Sequence, residues 1–277
     1  MFKKVLLLML ITALLVSAAA CGGKEEGKPQ ETKSEELSGT ITTGGSTSVQ
    51  PISEVLAEAF QKKHPKVTVN VQGGGSSAGT KAAMTGAADI GAASRELKES
   101  EKSLHCFTIA LDGIAIVVHP ENPVSDLTLQ QIQDIFAGKI TNWKDVGGND
   151  GAIVPVNREE GSGTRGAFTE IVMGEVPYVE TAIVQPSTGA VKATVAGDRN
   201  AIGYISLASL SSDVKAVKVD GVEATAENIK KGTYKVARPF NYVTKEEPQG
   251  LVKAFIDFVL SEEGQKIMES EGLIRVK

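Results

Sequence analysis

The chain has few of the residues that build metal centres, disulfide frameworks or proton-transfer sites. Its 277 residues include two cysteines and three histidines. Cys21 and Cys106 are too few for a disulfide scaffold, and His64, His105 and His119 lie far apart with no ligand spacing. No metal site, no cofactor and no catalytic residue is therefore expected, and the chain does not read as an enzyme. Positive charge is not in excess either. The formal net charge is -5 and no basic stripe occurs, which argues against a nucleic-acid partner.

Apolar runs are concentrated at the start of the chain. Lys3 and Lys4 precede Val5–Val16, an apolar run broken only by Thr12, and Ser17-Ala18-Ala19-Ala20 then leads to Cys21. A basic start, a short apolar stretch and small residues form an export signal over 1–20. The stretch is too short to span a bilayer comfortably, which takes roughly 20 apolar residues. Val16–Cys21 also resembles a bacterial lipobox, with Ala18 where Leu is more usual. That resemblance implies cleavage before Cys21 and acylation of its thiol, anchoring the protein to the outer face of the cell membrane by lipid alone. Cys106 then remains as a lone small hydrophobe, expected to be buried. Residues 21–38 are otherwise rich in Lys, Glu, Gly and Ser and read as a disordered tether.

From Gly39 onward, strand-like and helix-like segments alternate, which points to an α/β fold with parallel strand pairs. Helical periodicity covers Pro51–Lys63, Ala78–Thr85, Thr128–Ala137, Thr164–Met173, Thr188–Ala196, Gly250–Leu260 and Glu262–Glu269. Strand patterns cover Thr40–Thr43, Val67–Val71, Ala88–Ala92, Gly113–Val118, Ile153–Val156, Ala201–Ile205, Val214–Val219 and Tyr234–Ala237. The prolines after His119 suggest a crossing to a second lobe, with a return near Arg238–Thr244. The expected division is lobe I over 39–117 and 240–277, and lobe II over 118–239.

Three Ser/Thr/Gly clusters each precede a predicted helix: Gly44–Ser48, Gly73–Gly79 and Gly161–Thr164. Free N–H groups at a helix start, hydroxyls, and glycines that admit close backbone approach suit an anion. Any one cluster is accounted for by ordinary N-capping. Arg158, just ahead of Ser162, adds a fork that matches tetrahedral oxyanions.

These clusters carry a wider resemblance. Gly45-Ser46-Thr47-Ser48-Val49, Gln72–Gly79, Asp89–Arg95, Arg158–Arg165, Gln131–Trp143 and Ala201–Tyr204 together resemble the phosphate-binding proteins of bacterial phosphate ABC importers. The resemblance implies a two-lobed, class II periplasmic-binding-protein fold with the ligand between the lobes and a two-strand hinge. It implies a monomer that captures inorganic phosphate and passes it to the transmembrane subunits of an ABC permease. It assigns ligand contact to the Thr47 hydroxyl, the Ser48 N–H, Ser76, the Arg158 clamp, and Ser162, Gly163 and Thr164 at a helix start. Glu160 is expected to brace Arg158. Better-known members have an aspartate where this chain has Ser94, so rejection of sulfate by a proton acceptor is in doubt here. Arg95, the next residue, is a further candidate contact, whereas Asp89 is expected to be structural.

The rival readings are weaker. Gly74–Gly79 followed by Thr80-Lys81 inverts the order of a Walker A loop. Gly74–Ala78 lacks the final glycine of a hydrolase nucleophile elbow. A binding protein for sulfate, molybdate or tungstate, or a phosphate-sensing lipoprotein, is the remaining alternative.

Overall fold

The computed structural model describes residues 36–276. The export signal, Cys21 and most of the tether lie outside the described residues. Chain order begins with β1 (Gly39–Gly45), α1 (Gln50–Lys63), β2 (Val67–Gly73), α2 (Ser76–Thr85) and β3 (Ile90–Ala93). The long β4 (His105–Val118) leads to β5 (Asp126–Leu127), α3 (Leu129–Phe136), β6 (Val154–Arg158) and α4 (Gly163–Phe168). Then come β7 (Ile183–Gln185), α5 (Thr188–Gly197), β8 (Ala201–Ser206), β9 (Lys215–Ala216), β10 (Lys218–Val219) and α6 (Ala226–Lys230). The chain closes with β11 (Ala237–Thr244), α7 (Gly250–Val259) and α8 (Glu262–Ser270).

Local chemistry explains most of these boundaries. Pro51 occupies the first turn of α1, whose Ile52, Leu56 and Phe60 are buried at helical spacing. Thr128 and Gln131 form a capping box at α3, and Gly138, at φ 74, ends that turn. The helix expected over Thr164–Met173 is α only to Phe168 and continues as a wider π turn over Thr169–Met173.

The main sheet runs β2-β1-β3-β11-β4-β8-β6-β7, with β9 added beside β4. Two cores flank it. One gathers Ile41, Leu56, Phe60, Ile90, Phe240, Tyr242 and Phe255. The other gathers Ile114, Ile116, Phe136, Trp143, Phe168, Tyr204 and Tyr234, with the Phe168 and Tyr204 rings stacked at 4.1 Å. The fold is thus two-lobed. β4 pairs with β11 up to Gly113 and with β8 from Ile114, so its change of partner lies ahead of the crossing expected after Val117. The C-terminal tail makes a further connection. Ile274 bridges Leu111 and joins the second core, while Leu273 beside it is buried in the first.

Several sequence expectations are corrected. The last strand begins at Ala237, where the pattern predicted one ending there, because Tyr234 and Val236 are core residues of a loop. Val214–Val219 splits into β9 and β10, which pair with different strands. Cys106 is exposed, not buried, because the early part of β4 is covered less completely than the stretch from Gly113. Asp89 accepts the Thr42 N–H at 2.7 Å and braces β1 just ahead of its neighbour β3. Among the described residues, no helix is long and apolar enough to cross a membrane, and no acidic, His or Cys cluster could hold a metal.

Candidate functional site

The parallel strands β1, β3 and β6 deliver their C-terminal ends to one cleft between the lobes, where such sheets place ligands. β1 ends in Ser46-Thr47-Ser48, β3 in Ser94, and β6 in Arg158. Helices α2, α4 and α5 start there with Ser76, Gly163 and Thr188. Thr47, Ser48, Ser76 and Ser94 belong to one lobe, and Arg158, Ser162, Gly163 and Thr164 to the other.

The two sets meet. The Ser48 hydroxyl lies 2.9 Å from both the Thr164 and the Thr188 hydroxyls. Arg158 Nη2 donates to Thr47 Oγ1 at 3.2 Å, and the Thr188 N–H donates to the same oxygen at 3.3 Å. The Ser77 N–H donates to Gly161 O at 3.0 Å. Glycine is required at this closure: a β-carbon on Gly163 would overlap Ser76 Oγ and stand 2.6 Å from Ser94 Oγ. Gly75 sits at φ 89 and packs against the Gly161 carbonyl, so it too resists a side chain.

Arg158 is 1% exposed. Its guanidinium is held by the neighbouring Glu159, through Nε at 2.8 Å and Nη2 at 2.9 Å, and by Gln185 O at 3.2 Å. The brace expected from Glu160 therefore comes from Glu159; Glu160 is exposed in the turn beyond the strand end. Nη1 reaches Thr188 Oγ1 at 3.3 Å. Ser162 caps α4 by accepting the Arg165 N–H at 3.2 Å, leaving its hydroxyl proton to donate. The N–H groups of Gly163 and Thr164, in the first turn of α4, belong to the set that a helix itself cannot satisfy. The Ser48 N–H rests on Ser46 Oγ at 3.3 Å.

Ser94 lies deeper, fully buried. Its hydroxyl oxygen receives the Ser46 hydroxyl at 2.8 Å and lies 3.5 Å from Ser76 Oγ, which accepts the Ser94 N–H at 3.1 Å. Arg238, on β11, donates through Nη1 to Ser94 O at 3.2 Å and to Ser94 Oγ at 3.4 Å. The same guanidinium pairs with Asp112 on β4 through Nε at 3.2 Å and Nη2 at 3.0 Å. Burial works against charge on both partners, raising Asp112 and lowering Arg238, and each is held by the other. Arg95 is directed elsewhere. Its guanidinium donates twice to Glu101, at 2.7 and 2.9 Å, and also to Glu96 O and Ser77 Oγ. Burial of Glu101 opposes its ionisation, but hydrogen bonds from Arg95, Thr80 and the Lys98 N–H bring its carboxyl down to about 2.

Sequence reasoning missed Thr188, Ser46 as a cleft hydroxyl, and the Asp112–Arg238 pair. Ser187-Thr188-Gly189 before α5 has the form of the other three clusters and could have been counted with them. Nothing in the sequence distinguished Arg238 from a solvated arginine. The site is rich in donors and has no histidine to activate a hydroxyl. His119 accepts the Glu121 N–H, His105 pairs with Glu247 in solvent, and His64 packs on Phe60. The donors gathered here, an arginine fork with hydroxyls and helix-start N–H groups, are of the kind that suits a small oxyanion.

Known proteins agree in kind. A family profile described as the PBP superfamily domain matches residues 30–263. The phosphate-binding protein PstS of Bacillus subtilis is 36% identical over 284 residues, covering 99% of this chain and 94% of that protein. The chain belongs to the PstS family. Within the family, the PstS of Pseudomonas aeruginosa is 30% identical, covering 89% of this chain and 86% of its own length. Among solved structures, a protein of Clostridium perfringens described as a phosphate ABC transporter substrate-binding protein, solved with bound phosphate, is 53% identical. It superposes with a TM-score of 0.84 over 86% of this chain and 100% of its own. An ABC-type phosphate transport receptor of Vibrio cholerae is 41% identical, with a TM-score of 0.71 over 86% of this chain and 100% of its own. The two-lobed architecture is thus the periplasmic-binding-protein fold of the PstS family.

Proposed function

We infer that this protein captures inorganic phosphate between its lobes and delivers it to the transmembrane subunits of an ABC permease for ATP-driven uptake. The observation that carries the reading is the joint hydroxyl–arginine cluster, in which Ser48 meets Thr164 and Thr188 across the cleft. Membership of the PstS family supplies the anion. Thr47, Ser48, Ser76, Ser94, Arg158, Ser162, Gly163 and Thr164 form the ligand shell in this reading, joined by Thr188. Arg95 serves the scaffold through Glu101.

Each lobe holds only part of the shell, so the anion is fully enclosed only when the lobes close, and binding selects the closed form. Arg158 supplies charge, and the hydroxyls and helix-start N–H groups supply fixed donors in a dry setting. The closed surface is then the form a permease would recognise. The protein acts as a monomer, tethered outside the cell membrane by acyl chains on Cys21, with the lobes divided within a few residues of the boundaries expected from sequence. It performs no catalysis in this reading, in keeping with relatives named phosphate-binding proteins and with solved neighbours described as a transporter substrate-binding protein and a transport receptor.

Calorimetric titration of the purified protein with phosphate, sulfate, molybdate and tungstate tests the assignment. Saturable phosphate binding at one site per chain is expected. Heat from molybdate or tungstate alone would transfer the protein to another anion.

A further inference from the structure

The cleft holds a hydroxyl whose hydrogen-bond polarity is fixed by its neighbours. Ser94 Oγ has two lone pairs and one proton to place. The Ser46 hydroxyl donates to it at 2.8 Å, and Arg238 Nη1 approaches it at 3.4 Å. A guanidinium only donates, so neither of these neighbours takes the Ser94 proton. That proton is left to point toward Ser76 and the start of α4, where Gly163 leaves the space a side chain would fill.

We propose that Arg238 is a positioning residue that sets Ser94 as a donor toward the bound anion, making the site selective for oxyanions with few protons. The inference rests on the phosphate-capture reading above.

Thr47 offers no free acceptor either. Both lone pairs of Thr47 Oγ1 are taken, by Arg158 Nη2 and the Thr188 N–H. The carboxylates nearest the site are each held by an arginine: Glu159 on Arg158, Asp112 on Arg238, and Glu101 on Arg95. Asp112 also accepts the Ser206 hydroxyl at 2.9 Å. Arg165, on α4, adds a charge that forms no ion pair among the described residues; it donates to Arg158 O and lies over the Tyr178 ring. The phenols packed on these strands do not ionise near neutrality. Tyr204 donates to Asn157 and Tyr234 donates to Ile114 O, and burial raises both. A monoanionic phosphate, with two protons to place, meets a donor at Ser94 and filled lone pairs at Thr47. The dianion fits better, and sulfate, which has no proton, fits as well.

The test titrates wild type, Ser94→Asp and an Asp112→Asn/Arg238→Gln double variant with phosphate, on both sides of its second ionisation, and with sulfate. The double variant removes both buried charges together, so neither is left unpaired. Wild type should bind the phosphate dianion more tightly than the monoanion and accept sulfate within about tenfold of phosphate, the scale of one hydrogen bond. Ser94→Asp should lose sulfate by about a hundredfold or more while keeping the monoanion, since a carboxylate accepts a proton and repels an anion without one. The double variant should retain phosphate but lose its preference for the dianion, with the sulfate-to-phosphate ratio falling about tenfold. Failure of sulfate to displace phosphate from wild type would overturn the proposal, as would equal weakening of both anions in the double variant. Absence of phosphate binding by wild type would instead overturn the parent reading, and this inference with it.

Discussion

Ser48 and Thr188 stand on opposite lobes, 140 residues apart in sequence, and their hydroxyl oxygens lie 2.9 Å apart. Ser48 follows the strand that opens the first lobe, and Thr188 opens a helix of the second. A contact this short between lobes exists only when they are closed, so cleft polarity and lobe position are one variable. Thr188→Val keeps the shape and removes the hydroxyl. Phosphate affinity should fall by about 1 kcal/mol, the net value of an ordinary hydrogen bond, with thermal stability little changed. Titration calorimetry and a melting curve would check both halves.

Arg158 is the largest single contributor expected. Arg158→Ala removes a buried charge and leaves Glu159 facing the cleft alone. Affinity should drop by roughly 2–5 kcal/mol, the range for truncating one member of a buried charged pair. Phosphate binding close to wild type in that variant would remove Arg158 from the ligand shell.

Gly163→Ala acts on geometry and leaves charge untouched. The added methyl would overlap Ser76 Oγ in the closed form and meet nothing comparable with the lobes apart. The variant should fold normally yet fail to contract on adding phosphate. Small-angle scattering with and without ligand reads this directly, and a wild-type contraction would refute it.

Glu101 makes a pH-dependent contribution to stability. Its carboxyl titrates at about 2 in the folded protein against 4.5 in the ordinary state. A depressed carboxyl stabilises the fold above its unfolded value, and the benefit disappears as pH falls through the folded one. Relative to Glu101→Gln, wild type should gain on the order of 3 kcal/mol above pH 4.5, fading as pH falls through about 2. Denaturant melts of both proteins along that range would show the convergence.

How far the sequence revealed this depended on whether the signal was local. Helices α1, α3, α7 and α8 carry their apolar spacing within a few residues, with side-chain caps at α3 and α8 and a first-turn proline in α1, so their ends were legible. The early half of β4 was not. His105, Cys106, Thr108 and Asp112 interrupt its apolar pattern, because that stretch is only partly covered or, at Asp112, holds a buried charge. In the cleft, residues inside Gly/Ser motifs were legible because glycine and N-cap chemistry mark them. Arg238 was hidden, since its partners Asp112 and Ser94 lie 126 and 144 residues away and only the sheet brings them together. The exchange of Glu160 for Glu159 as the Arg158 brace turns on where the strand ends, which spacing alone does not fix.

The C-terminal tail constrains what kind of movement the lobes can make. Leu273 is buried in one core and its neighbour Ile274 in the other, and Ile274 exchanges backbone hydrogen bonds with Leu111. Sliding one lobe along the other would drag one of these side chains from its seat, at about 1.5–3 kcal/mol for a fully buried aliphatic. Rotation about an axis passing near that peptide disturbs neither. The tail therefore acts as a pivot pin, favouring a swing over a shear and keeping the two halves of the anion shell in register each time they meet.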